Sequence, residues 1–207
     1  MANIEYLDVY DANGKLIGPA DRKVVHACGL WHKTVHCWIV WDGKMVFQRR
    51  SRKLDNNPGK LYSTASGHIT AGETVEQAFA REIHQEIGIH PKNPIFLEEH
   101  PWVADMKKTD GSLFIDRVFS NIFWAKHDGR LEDLKFDDGE VDSVVAIDLD
   151  EFEKWSRKPV GEISGIEWDG EKTFEVKIAA NDFVINEGEN IYYKYGKKVD
   201  MIRMSIE

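Results

Sequence analysis

A chain of 207 residues with 42% hydrophobic and 30% charged side chains has room for one well-cored domain plus an extension, and too little for two full domains. Its formal net charge of −9 argues against a broad nucleic-acid or anionic-membrane surface, yet leaves room for a small anionic substrate held by local cations or a bound metal. No run of about 18 apolar residues is available to cross a bilayer, the N-terminus carries no signal-peptide pattern, and Cys28 and Cys37 are too few for a disulfide scaffold. The expectation is a cytoplasmic protein without a nucleic-acid polymer or a membrane as partner.

In chain order, residues 5–10 and 15–18 read as an exposed hairpin turning at Asp11-Ala-Asn-Gly14, and residues 19–28 suit a short helix with Asp21 near its start. Residues 34–41 and 44–49 form two strands joined at Asp42-Gly43, the strongest hairpin signal in the chain. A loop rich in turn formers follows at 54–59. Thr74 with Gln77 three residues on fits a capping box, and Gly88 stands where a helix C-terminus favours glycine. Between them Val75, Ala78, Phe79, Ile83 and Ile87 recur at helical spacing and mark the buried face. Residues 95–97, 113–125 and 141–149 supply further strands, and 150–155 a short helix.

Beyond residue 157 the character changes. Residues 173–178, 183–185 and 191–195 alternate like strands, with turns at Asp169-Gly170 and Glu187-Gly188, which predicts a small appended sheet. No chemical motif appears in it. The predicted organisation is an N-terminal hairpin and helix over 1–30, a main domain over 31–156 and a β-rich extension over 157–207. The extension either mediates a homodimer or shapes the pocket.

The chemistry concentrates between Gly67 and Ile89. This stretch contains four glutamates, Glu73, Glu76, Glu82 and Glu86. Glu82 and Glu86 are four apart, which on a helix puts both carboxylates on one face, roughly 6 Å from each other. Two hard anionic oxygens side by side suit a divalent cation such as Mg²⁺, with Mn²⁺ an alternative, and phosphate chemistry is the natural use of such an ion. Outside the stretch, Arg49, Arg50, Arg52 and Lys60 are candidates to grip phosphate charge, although strand alternation cannot aim all three arginines inward. Trp31, Trp102, Trp124 and Tyr62 are candidates to stack on a ring or cover an apolar group.

The order Gly67, Glu73, Arg81-Glu82-Ile83-His84-Gln85-Glu86-Ile87-Gly88-Ile89 closely resembles the Nudix box of MutT-like hydrolases, G-x5-E-x7-R-E-U-x-E-E-x-G-U, where U is aliphatic. Gln85 is the one departure, standing where the first glutamate of the pair is expected. The resemblance implies the α/β Nudix fold: a mixed central β-sheet sandwiched between helices, here with an N-terminal hairpin and a C-terminal β extension. It also implies a Mg²⁺-dependent pyrophosphatase acting on a diphosphate-linked small molecule. Glu82 and Glu86 would ligate the metal, helped by the Gly67 carbonyl, while Arg81 and Glu73 brace the helix face. Gln85 offers a neutral oxygen, so one or two ions are expected in place of three. A water-activating base from an outside loop points to Glu140 in the acidic run 137–140.

The segments 29–36, 48–52 and 58–68 further resemble the branch related to isopentenyl-diphosphate isomerases, where histidines bind a second metal. His26, His32 and His68 stand at comparable places. That reaction also needs an acidic pair and a cysteine before the Gly-His pair. Ser66 occupies the cysteine position, and Asp116 and Val118 the acid positions, which leaves no evident acid–base couple for isomerisation. A Nudix-fold binding module without turnover is the other alternative.

Overall fold

The computed structural model describes residues 4–107, 111, 113–136, 139–185 and 190–206. Its first hairpin pairs β1 (Tyr6–Tyr10) antiparallel with β2 (Leu16–Asp21), and α1 (Arg22–Cys28) follows at once. The helix predicted from residue 19 starts three residues later because Pro19 and Ala20 remain paired to β1. Asp21 caps it by accepting from the Lys23 N–H at 2.7 Å, and Gly29 ends it in the left-handed conformation. Leu7, Val9 and Val25 bury together as a small core of this unit.

β3 (His32–Trp41) and β4 (Lys44–Arg50) form the predicted hairpin across Asp42 and Gly43, both at positive φ as a tight turn of this kind requires. The two strands stay paired for only three residues and then diverge. The fork between them is filled by β5 (Leu61–Tyr62) on β4 and β6 (Ala65–His68) on β3. Buried Thr64 ties the fork together: its hydroxyl accepts from the Ile39 N–H at 2.9 Å and donates to the Val46 carbonyl. This wedge holds Ser66, Gly67 and His68 in place.

α2 (Val75–Ile87) starts at the Thr74–Gln77 capping box and ends at left-handed Gly88, as its sequence predicts. β7 (Ile95–Lys107) and β8 (Leu113–Lys126) form a long antiparallel pair, and β8 runs parallel to β3. β9 (Val141–Asp148) joins β4 and leads into α3 (Leu149–Arg157), capped by Asp148. β10 (Ile163–Trp168) and β11 (Thr173–Ile178) extend the sheet beyond β9. Apart from the β1–β2 hairpin, the described strands thus form one mixed sheet in the order β11-β10-β9-β4-β3-β8-β7, with β5 and β6 in the fork.

Strand alternation splits the core in two. Val35, Cys37, Ile39, Val144 and Ala146 meet Ile83 and Ile87 of α2 on one face, while Trp38, Val40, Val145 and Ile147 meet Phe152 of α3 and the C-terminal segment on the other. The sheet is therefore sandwiched between helices, as expected.

The C-terminal reading needs correction. Among the described residues no separate sheet forms there, because β10 and β11 find an open edge on β9. Residues 191–195 are helical: a π-helical turn (Tyr192–Gly196) runs into α4 (Lys197–Ile206). Their apolar positions bury Ile191, Tyr195, Val199 and Ile202 at spacings of three and four, a period that a five-residue window could not separate from strand alternation. Residues 183–185 form no strand beyond a single bridge from Phe183 to Leu61. The Glu187-Gly188 turn lies outside the described residues. The strand predicted at 95–97 is far longer, because its pairing with β8 carries polar residues that show no apolar pattern.

Candidate active site

Arg81 organises the N-terminal half of the site. Its guanidinium donates to both Glu73 oxygens at 2.8 Å, to the His68 carbonyl at 2.8 Å and to Glu82 Oε1 at 2.7 Å. Glu73 also accepts from the backbone and hydroxyl of Thr70, both at 3.0 Å. These bonds to the charged form hold the Glu73 carboxyl below its usual range against the opposing effect of burial, the largest influence on it. One planar fork thus ties the loop before α2, the end of β6 and the helix itself. Exposed Gln85 accepts a longer bond from Arg81 at 3.3 Å and lines the open acidic cleft with Glu73, Glu82 and Glu140.

Glu82 and Glu86 dock on consecutive residues of β6. The Glu82 carboxyl lies against Gly67, so closely that a Cβ there would fall inside it. Glu86 is 4% exposed and accepts from the Ser66 N–H at 3.0 Å and from Gln48 Nε2 at 2.9 Å. Burial pushes the Glu82 pKa up to about 7, despite the neighbouring Arg81, and the Glu140 and Glu73 charges raise it further. Glu140 is held by a bond from the Ser51 N–H to its carbonyl at 2.7 Å. A carboxyl kept partly protonated by burial and like charge is short of positive charge, and the set of Glu82, Glu86, the Gly67 carbonyl and Gln85 fits a hard divalent cation.

A second donor cluster sits beside the first. The ring nitrogens of His26, His32 and His68 lie within 4.8 Å of one another. Asp116 Oδ1 approaches His26 Nδ1 at 3.3 Å and His32 Nε2 at 3.5 Å. His32 Nδ1 lies 3.0 Å from the Leu30 carbonyl, so it carries the proton and leaves a lone pair on Nε2 facing the carboxylate. Burial keeps His32 and His68 neutral by pushing both below the usual imidazole range. Among the described residues, His26 Nδ1, His32 Nε2 and Asp116 Oδ1 are all buried without hydrogen-bond partners. The unpartnered atoms of His26, His32 and Asp116, with His68 Nε2 in a 3.1 Å bond with His26 Nε2, form a donor set that fits a second divalent metal of the Mn²⁺ or Zn²⁺ type.

The basic run divides differently from the sequence expectation. Arg49 is spent inside the sheet on Glu167, with paired bonds of 2.7 and 2.8 Å, and Ser143 donates to the same carboxylate. Lys60 donates to the Asn181 carbonyl, and Arg52 is placed by its backbone N–H on Asp142. Of the four cations only Arg50, bonded to Asn56, lines the cleft that contains Glu82, His68 and Asp116. Arg22, which the sequence did not single out, lines it too and pairs with Glu5 at 2.7 Å. Its position at the start of a helix after the hairpin gave no signal of this. Tyr62 and Trp102 face the cleft, whereas Trp31 stacks on Phe119 at 4.6 Å and Trp124 is buried with its N–H on Ser205.

Comparison with known proteins agrees with this geometry. The family model described as NUDIX domain matches residues 30–164. An uncharacterized Nudix hydrolase of Clostridium acetobutylicum is 32% identical over 160 residues, 73% of each chain. An isopentenyl-diphosphate Delta-isomerase of Streptomyces griseus is 29% identical over 119 residues, 56% of this chain and 59% of the relative. A Deinococcus radiodurans crystal structure shares the fold with a TM-score of 0.53 at 19% identity, covering 72% of this chain and 87% of that one. The box on its loop and helix, the sandwich around it and these matches agree: the chain belongs to the Nudix hydrolase family.

Proposed function

We propose that the protein is a divalent-cation-dependent pyrophosphohydrolase that splits the diphosphate link of a small molecule in the Glu82 cleft. The observation that carries this is the docking of Glu82 against Gly67 and of Glu86 on the Ser66 N–H, which brings two helix carboxylates onto consecutive residues of β6. Mg²⁺ held by Glu82, Glu86 and the Gly67 carbonyl would neutralise phosphate charge and favour an ionised water. Arg81 and Glu73 keep the helix face in register with β6. Arg50 and Arg22 supply the cations that orient the phosphates. Glu140, close enough to Glu82 to raise its pKa, takes the proton from the attacking water.

The test is a screen of diphosphate-linked compounds, with and without Mg²⁺, in which an added phosphatase releases phosphate from the phosphomonoester products for detection. Turnover that needs the ion and falls by orders of magnitude in Glu86→Gln supports the reading; turnover untouched by Glu82→Gln and Glu86→Gln together sinks it. Binding without turnover would favour the non-catalytic module.

The histidine cluster favours a second reading as an isomerase of isoprenoid diphosphates. Against it, residue 66 is a serine where the reaction requires a thiol, and Val118 is an apolar side chain 2% exposed at the position where an acid is required. Exchange of deuterium from solvent into a five-carbon diphosphate would revive it.

A further inference from the structure

Glu86 is bonded to a side chain that lies far outside the box. Gln48 sits in the middle of the sheet on β4, with Tyr62 of β5 and Val144 of β9 as its strand partners, and is 1% exposed. Alternation along β4 turns it to the same face as Val46, toward α2. On that face the nearby strand residues Ile39, Val46, Val144 and Ala146 are apolar. A buried amide in such company is costly unless its polar groups are bonded. Its Nε2 donates to Glu86 Oε2 at 2.9 Å, which joins β4 to the box helix between residues 38 apart in sequence.

The Ser66 N–H reaches the same oxygen at 3.0 Å, so donors from two strands converge on Oε2. The last torsion of a glutamate is broad when nothing holds it. One donor leaves the carboxylate able to swing; two arriving from separate strands fix its plane. The kind of donor matters as well. Glu82 is held by the Arg81 guanidinium at 2.7 Å, which offsets part of its charge. An amide orients Glu86 without bringing any charge of its own, whereas lysine or arginine at position 48 would set a cation beside a metal ligand.

We infer, resting on the reading above of Glu86 as a cation ligand, that Gln48 is a positioning residue of the metal site: its amide sets the Glu86 carboxylate in the orientation that takes the divalent cation. Gln48 does not line the Glu82 cleft and acts through Glu86. The Ser66 bond comes from the backbone, which any residue with an N–H supplies there. Gln48 is therefore the side chain through which the sequence controls this ligand. Loss of the amide acts on the cation, while Arg50 and Arg22 stay in place to meet the substrate.

Gln48→Met keeps the length of the side chain and removes the donor. Gln48→Asn keeps the amide but draws it back by one methylene, out of reach of Glu86. Phe152→Leu, in the core on the other face of the sheet, controls for lost stability alone. Calorimetric titration with Mg²⁺ is run at a temperature where thermal unfolding shows each variant folded. Kd for Mg²⁺ should weaken by about tenfold in both Gln48 variants, as for other partners that orient a metal ligand, and stay unchanged in Phe152→Leu. With a diphosphate compound that is turned over, the Mg²⁺ concentration for half-maximal rate should rise by the same factor, and KM at saturating Mg²⁺ should not move. If Gln48→Met does not fold, Gln48→Asn decides alone. Affinity within about twofold of wild type in a folded Gln48 variant overturns the role, as does an equal loss in Phe152→Leu or a wild type that takes up no Mg²⁺. Mg²⁺ affinity that depends on Gln48 without turnover of any diphosphate compound leaves the positioning role standing and removes the hydrolase reading. Mg²⁺-dependent turnover with an affinity indifferent to Gln48 does the reverse.

Discussion

The Glu82 carboxyl group fills the space that a side chain on Gly67 would need. Glycine is required there by close approach, not by backbone conformation, and the approach is what brings the helix carboxylate onto the strand. Gly67→Ala therefore displaces Glu82 while the fork around Thr64 stays intact. Expected is a 10–100-fold loss in divalent-cation affinity, of the order seen when the support of a metal ligand is removed. Calorimetric titration with Mg²⁺ or Mn²⁺ measures it, and unchanged affinity would refute the coupling.

Glu82 sets a pH dependence. Its folded pKa of about 7 lies above the ordinary carboxyl value of 4.5, so its protonated form favours the folded state. That contribution, on the order of 3 kcal/mol, is fully present below about pH 4.5 and is lost as pH rises through 7. A divalent cation needs the ionised form, so metal affinity rises from pH 6 to pH 8 with release of a proton. Calorimetry in buffers of different ionisation enthalpy reads that proton, and Glu82→Gln abolishes it.

Arg81→Lys separates charge from geometry. A lysine keeps the positive charge but cannot bond both Glu73 oxygens, the His68 carbonyl and Glu82 at once. The loss should be about 2 kcal/mol in denaturant unfolding, given the usual strength of bonds to charged groups. A larger fall in kcat than in substrate affinity should accompany it. A stability equal to wild type would show that the fork contributes nothing.

Arg49 and Glu167 form a structural pair at the β4–β9–β10 junction, and Arg49→Ala leaves a buried carboxylate without its partner. Unfolding free energy should fall by about 3 kcal/mol. KM for a diphosphate substrate, measured well below the melting temperature, should not move. A selective rise in KM would return Arg49 to the phosphate site.

The cluster of His26, His32, His68 and Asp116 should take up one transition-metal ion per chain, located by anomalous scattering after soaking with Mn²⁺ or Zn²⁺. His32→Ala with Asp116→Asn should remove that ion and leave Mg²⁺ binding at Glu82. Absence of anomalous signal in the wild type would show that the buried acceptors are satisfied in another way.

Much of this protein was legible in one dimension because its signals are local. The Thr74–Gln77 cap, the Gly88 stop and the apolar spacing between them specify α2, and the box residues ride on that helix at fixed angles. The Asp42-Gly43 turn likewise needs only two residues of the right conformation. The rest depends on partners distant in the chain. Glu167, 118 residues from Arg49, takes that cation out of the phosphate set. Asp116 on β8 meets His26 of α1 and His32 of β3 only because β8 runs parallel to β3. Residues 191–195 read as a strand, but the sheet face they must cover selects the helix. The sequence by itself determined the helix that carries the box, because capping and period are properties of neighbouring residues. Tertiary structure alone decided which charges meet, because a cation's role is set by the nearest carboxylate in space.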